Sequence, residues 1–79
     1  MRMPRNLSGK ELIKKLSKLG YMSTRQVGSH IRLTTHENGT HHITIPEHNP
    51  LKIGTLSSIL KDVSEHFKMT KEELLSKLF

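Results

Sequence analysis

The chain contains no cysteine and no tryptophan. Neither disulfides nor thiolate metal ligands can enter its chemistry, and the redox compartment is left open. Apolar runs are only a few residues long, too short for a membrane span. The opening Met1-Arg2-Met3-Pro4-Arg5-Asn6 carries no apolar stretch of signal-peptide length, so a cytoplasmic location is expected. Aromatics number three, Tyr21, Phe67 and Phe79; so few argue against a base-stacking platform. Acid is scarce in one half. Residues 1–35 hold eight Lys/Arg against Glu11 alone, whereas residues 36–79 hold five Lys/Arg against six Asp/Glu. A length of 79 residues leaves room for a single domain with one core, residues 1–7 being expected to be flexible.

What is present reads as helix, three strands, helix, short helix. Ser8 and Glu11 form a capping box, with Leu7 and Leu12 placed as a hydrophobic staple. Leu12, Ile13, Leu16 and Leu19 make a buried stripe, Lys10, Lys14 and Lys18 line the other side, and Gly20 stops the helix, which is placed at 9–19. Tyr21 to Val27 alternates poorly and is a strand by position and β-branched content. His30 to Thr35 and His41 to Ile45 alternate cleanly. Between them, Glu37-Asn38-Gly39 signals a hairpin. A two-residue Asn-Gly loop would set Leu33 against Thr44, apolar opposite polar. A three-residue loop with Gly39 left-handed pairs Leu33 with Ile43 and Ile31 with Ile45, and is preferred. Pro46 and Pro50 bracket a loop before a helix at roughly 54–66, and Thr70 with Glu73 caps a last short helix. The expected fold is α+β: a two-layer sandwich in α-β-β-β-α-α order, its three-stranded antiparallel sheet covered by helices on one face.

Three features can carry chemistry. In Gly28-Ser29-His30 the histidine falls on the face away from Ile31 and Leu33, so it is not a core residue. Imidazole both takes up and releases protons near neutral pH. Gly28 permits close backbone approach, Ser29 adds a hydroxyl, and Arg25 and Arg32 bring charge to either side. A titratable group beside a cationic surface points to a polyanion such as RNA, with the histidine as general base on a 2′-hydroxyl or general acid on the leaving oxygen, a route that needs no metal. An ordinary surface strand residue is the competing reading. Second, Lys52-Ile53-Gly54-Thr55 opens a helix whose free N–H groups suit a phosphate, unless Gly54 or Thr55 merely caps it. Third, the Lys10, Lys14, Lys18 stripe, with Lys15, Arg2 and Arg5, is either an electrostatic footprint on phosphates, a contact for an acidic protein, or a solvated helix face. His36, His41, His42 and His48 do not make a metal site: no His-x3-His falls on a helix, and adjacent His41 and His42 point to opposite faces. His48 is a further site candidate because its loop leads into Lys52.

The ordered set Gly9-Lys10-Glu11-Leu12, Gly20-Tyr21, Arg25-Gln26, Gly28-Ser29-His30, Pro46-Glu47-His48 and Lys52 through Leu60 resembles the HicA toxin family, also called YcfA-like mRNA interferases. The resemblance covers roughly residues 8–67. It implies a double-stranded-RNA-binding-like fold, ribosome-independent ribonuclease activity on mRNA, and a HicB antitoxin that binds and blocks the toxin. The family's functional histidine maps onto His30 and its preceding glycine onto Gly28. Relatives often carry a second histidine directly after the first, where this chain has Ile31, and a proline before the helix glycine, where it has Ile53.

The reading is a metal-independent endoribonuclease toxin that needs no cofactor and has no membrane partner. His30 transfers protons, and Gly28, Ser29, Arg25, Arg32, Lys52, Lys10, Lys14 and Lys18 meet the RNA. The alternative is a non-catalytic RNA-binding module of the same fold, which leaves His30 unexplained.

Overall fold

Ser8 has extended backbone and turns the chain into its first helix. Its hydroxyl accepts a hydrogen bond from the Glu11 N–H at 3.1 Å, and the Glu11 carboxylate accepts one from the Ser8 N–H at 2.9 Å. Two otherwise unpaired helix-end donors are thereby satisfied. In the computed structural model, which describes residues 3–79, this capping box opens α1 (Gly9–Leu16). The helix expected over 9–19 changes character before its end. Ser17–Leu19 form a 3-10 turn, and Gly20 leaves it with φ +82°, in the left-handed region. The tighter turn swings Leu19 into the core and lets the Thr35 hydroxyl donate to the Leu19 carbonyl at 2.8 Å.

The strands β1 (Met22–Val27), β2 (His30–Thr35) and β3 (His41–Pro46) form one antiparallel sheet in the order β1-β2-β3. Leu33 faces Ile43, Ile31 faces Ile45, Arg32 faces Thr44 and Thr34 faces His42, the register that keeps apolar opposite apolar. The ladder closes one rung earlier than a three-residue loop implies, at Thr35–His41. A bond between His36 Nδ1 and Thr40 Oγ1, 3.1 Å, spans the missing rung. Asn38 joins Gly39 at positive φ, +56° and +93°. At the other end of β2, Gly28-Ser29 is a two-residue hairpin turn between the paired residues Val27 and His30, and Gly28 has φ +57°. A register shift between Ser23 and Arg25 and the exposure of all six β1 residues account for that strand's blurred alternation: β1 is an edge that supplies nothing to the core.

α2 (Ile53–His66) and α3 (Lys71–Leu78) follow, the latter opened by the expected Thr70–Glu73 capping box. Leu12 and Leu16 from α1, Leu33, Ile43 and Ile45 from the sheet, Leu56, Leu60 and Val63 from α2, and Leu74 and Leu78 from α3 share one core. β2 and β3 therefore turn one face inward, and the helices lie on that side only. Leu7 is buried, and its carbonyl accepts from the Leu51 N–H at 2.8 Å. A Cβ on Gly9 would collide with the Pro46 carbonyl. Only glycine lets the start of α1 dock this closely on the end of β3, where the Gly9 N–H donates to the His48 carbonyl at 2.8 Å.

Candidate functional site

His30 is the first residue of β2, set by the Gly28-Ser29 turn and held on two sides. The Glu47 N–H donates to the Ser29 carbonyl at 2.6 Å, and the Gln26 side-chain amide donates to the Gly28 carbonyl at 3.0 Å. Its neighbours Ile31 and Leu33 point into the core, so alternation turns the imidazole to the open face, beside its cross-strand partners Val27 and Pro46. The residue is exposed, and among the described residues its ring has no hydrogen-bond partner. Gly28 is needed for its positive φ. A Cβ there would meet nothing within 4 Å, so the space above the turn is open.

Arg25 and Arg32 are directly paired across β1 and β2. They stand together on the open face one same-face step from His30, about 7 Å along the strand, rather than to either side of it. Neither has an ion-pair partner among the described residues: the two ion pairs there are Lys10–Glu47 at 3.5 Å and His41–Asp62 at 3.2 Å.

The lysine stripe of α1 is divided by its partners. Lys10 engages Glu47, and Lys18 Nζ donates to the Leu78 carbonyl at 3.2 Å. Lys15 lies 5.9 Å from the centre of the Phe79 ring, within reach of a cation–π interaction. Lys14 is exposed with no such partner among the described residues. Lys52, not Gly54 or Thr55, is the N-cap of α2, and no side chain caps that helix. Lys52 shares an open cavity of about 550 Å³ with Arg5, Met3 and Ile53. Lys10 and His48 line a smaller one of about 270 Å³. Glu47 is bonded to Ser29, Gly9 docks on Pro46 and His48, and Leu51 is bonded to Leu7 just before α1, so the starts of α1 and α2 belong to the His30 end of the molecule. Arg2 lies outside the described residues.

Sequence reasoning missed a second cluster at the opposite end. Tyr21 is buried, and its hydroxyl is 2.7 Å from His41 Nδ1. His41 Nε2 is 3.2 Å from Asp62 Oδ1. Burial pushes the Tyr21 phenol well above its usual range, and the Asp62 charge adds to that. The phenol is thus the donor to Nδ1, and Nε2–H donates to Asp62. The His41 ring stacks on His66, with centroids 4.4 Å apart and planes 10° off parallel, and His66 Nε2 donates to the Glu37 carbonyl at 2.9 Å. His42 points the other way, to Thr34 at 2.8 Å. The contrast between adjacent His41 and His42 was readable from strand alternation; the partnership with His66, 25 residues further along, was not. Among the described residues, no group of three or more His, Cys, Asp or Glu side chains is placed to hold a metal ion.

The parts now stand in a definite order: a capped helix with glycine at its docking point, a Gly-Ser-His turn, and an uncapped helix led by lysine. A family model described as the HicA toxin of bacterial toxin-antitoxin matches residues 9–64. The chain belongs to the HicA toxin family. No curated protein and no solved structure matches it. The family segment begins at the first residue of α1 and ends two residues short of the end of α2. It contains His30, both arginines and Lys52, whereas α3 lies outside it. No described helix is long and apolar enough to cross a membrane.

Proposed function

We propose that this HicA-family toxin is an endoribonuclease that inactivates mRNA without a metal ion, with His30 as the proton-transfer residue, and that a HicB-type antitoxin is its partner. The observation that carries this reading is the state of His30: an exposed imidazole, engaged by no other described side chain, fixed at a rigid turn on a face bordered by cations. A histidine kept for structure is expected to be bonded, as His41 is.

The chemistry open to such a ring is transesterification at an RNA phosphate. The imidazole nitrogen removes the 2′-hydroxyl proton while the 2′-oxygen attacks the adjacent phosphorus, and the bond from phosphorus to the 5′-oxygen breaks. The leaving 5′-oxygen takes its proton from the imidazolium, which returns His30 to its starting form. The products are a 2′,3′-cyclic phosphate and a 5′-hydroxyl. The Ser29 hydroxyl and the open space over Gly28 leave the approach clear, and the unpaired arginines oppose the charge gathered on the phosphate.

The test is purified protein incubated with RNA in the presence of chelator. Cleavage is expected with wild type and absent with His30→Ala, while a substrate 2′-deoxy at the cut site is bound and left intact. Cleavage that persists in His30→Ala rejects the assignment. A gel shift without cleavage by the wild type supports a non-catalytic RNA-binding module instead.

A further inference from the structure

The open face of the sheet carries no helix, because the core lies wholly on its other side. Its composition is one-sided: β1, β2 and β3 contain no Asp or Glu. The open face presents Arg25, Arg32, His30 and His42, with Met22 and Val27 also exposed on it, at 71 and 62%. Within it Arg25 and Arg32 are Cα partners on neighbouring strands. Directly opposed side chains of an antiparallel pair have Cβ atoms about 5 Å apart, and like charges so placed oppose strand pairing. A carboxylate nearby would relieve the repulsion, but no ion pair to either arginine exists among the described residues. Two arginines paired on adjacent strands can bring their forks of N–H donors to one anion, an arrangement that suits the oxygens of a phosphate.

We propose that Arg25 and Arg32 together clamp one phosphate of the RNA strand, a single same-face step from His30, so that the substrate crosses the open face of the sheet and not the lysine face of α1. The proposal rests on the ribonuclease reading for its substrate and adds where the strand lies and what holds it. Charge complementarity selects the occupant: the face offers cations and no acid. The step of about 7 Å between the arginine rung and His30 is comparable to the advance from one phosphate to the next along a nucleic-acid chain. With the clamp on a neighbouring phosphate, the scissile one falls beside the imidazole. Scarce aromatics fit the same picture, because the grip is on the backbone and needs no base stacking. The lysine stripe is the poorer candidate, since Lys10 and Lys18 already have partners within the fold and only Lys14 between them is left without one among the described residues.

Binding is measured by titrating a single-stranded RNA probe into His30→Ala protein, which leaves the probe uncut, across a series of salt concentrations. Arg25→Gln and Arg32→Gln on that background should each weaken binding roughly tenfold or more. Replacing both together should flatten the slope of log K against log salt by roughly 0.7, the loss of the one phosphate contact on a single strand. Lys77→Gln, on exposed α3 surface assigned no contact with RNA, should leave both affinity and slope nearly unchanged. In the active protein each arginine variant should raise KM more than it lowers kcat, and both should melt no lower than wild type because a like-charge pair has been relieved. Loss of RNA binding in Lys14→Gln with none in the arginine variants overturns the proposal. So does unchanged RNA binding and cleavage in variants that no longer bind an acidic partner protein. If wild type binds RNA through the arginines but never cuts it, the clamp stands and the ribonuclease reading falls. If His30→Ala abolishes cutting while the arginine variants keep their KM, the clamp falls and the ribonuclease reading stands.

Discussion

The two ends of the sheet treat histidine in opposite ways. At the Gly28-Ser29 turn, His30 stands in solvent with its ring unbonded by any described residue. At the 36–40 loop, His41 has both ring nitrogens engaged, by Tyr21 and by Asp62, and its face covered by His66. One imidazole is open to contact from outside the protein. The other joins β3 to α2, while His66 ties the end of α2 to the loop through the Glu37 carbonyl and Asn38 Nδ2 returns a bond to the His66 carbonyl at 2.8 Å. Residue type alone does not tell the two ends apart; the bonding of the ring does.

The comparison breaks most visibly on substitution of the two histidines. His30→Ala should lower RNA cleavage by about 10²–10⁴-fold or more, the usual worth of a proton-transfer group, and leave the melting temperature near that of wild type. His41→Ala should do the reverse. It strands the buried Tyr21 hydroxyl and should cost about 1–3 kcal/mol in denaturant unfolding, with cleavage per folded molecule retained. If His41→Ala loses cleavage while fully folded, the division between the two ends is wrong.

Next in size is Gly9→Ala. The added methyl meets the Pro46 carbonyl, and backbone on both sides must shift, at a cost of about 1–3 kcal/mol by chemical denaturation. Gly28→Ala meets no atoms, so its cost is conformational alone, about 1 kcal/mol for a positive φ. Ordering these two glycines by stability tests whether close packing or backbone handedness is the stricter demand at the His30 end.

The pH responses are smaller. The folded state holds the Tyr21 phenol protonated, above its ordinary value of 10.0, chiefly through burial. Its contribution is therefore complete below pH 10 and declines as pH rises beyond it. Tyr21→Phe should flatten that alkaline limb in pH-dependent melts while lowering stability at neutral pH. On the acid side, the backbone hydrogen bonds from Ser8 and Thr70 hold the Glu11 and Glu73 carboxyls below their usual range. That stability is present above the usual carboxylate range and is lost as pH falls through the lowered values. Glu11→Gln should remove part of the acid limb and keep the helix, since glutamine also closes a capping box.

Much of the architecture was legible because it is written in local signals. Two capping boxes, the alternation of β2 and β3, and the face argument that set the Leu33–Ile43 register each depend on residues a few positions apart. The edge strand β1 was not legible by pattern, since a strand with no buried face carries no alternation and a bulge disrupts what remains. His30 was singled out as a surface residue because strand alternation fixes its face. Gly28 reads in the sequence as a place of close backbone approach; the structure adds that it is the positive-φ corner of a hairpin. The opposition of Arg25 and Arg32 escaped notice for a different reason. Cross-strand pairing follows from a turn whose length was not recognised, and once Val27 is paired with His30 the arginine rung follows.

One further consequence comes from α3, which the family segment does not include. Leu74 and Leu78 have no accessible surface, and Leu75 has very little. A shortened version ending at residue 64 would keep every side chain discussed for RNA and still lay bare the flank of α2 that these leucines cover. Such a minimal toxin should be sticky and short-lived, so engineering the smallest active form means redesigning that flank with polar residues before trimming the tail.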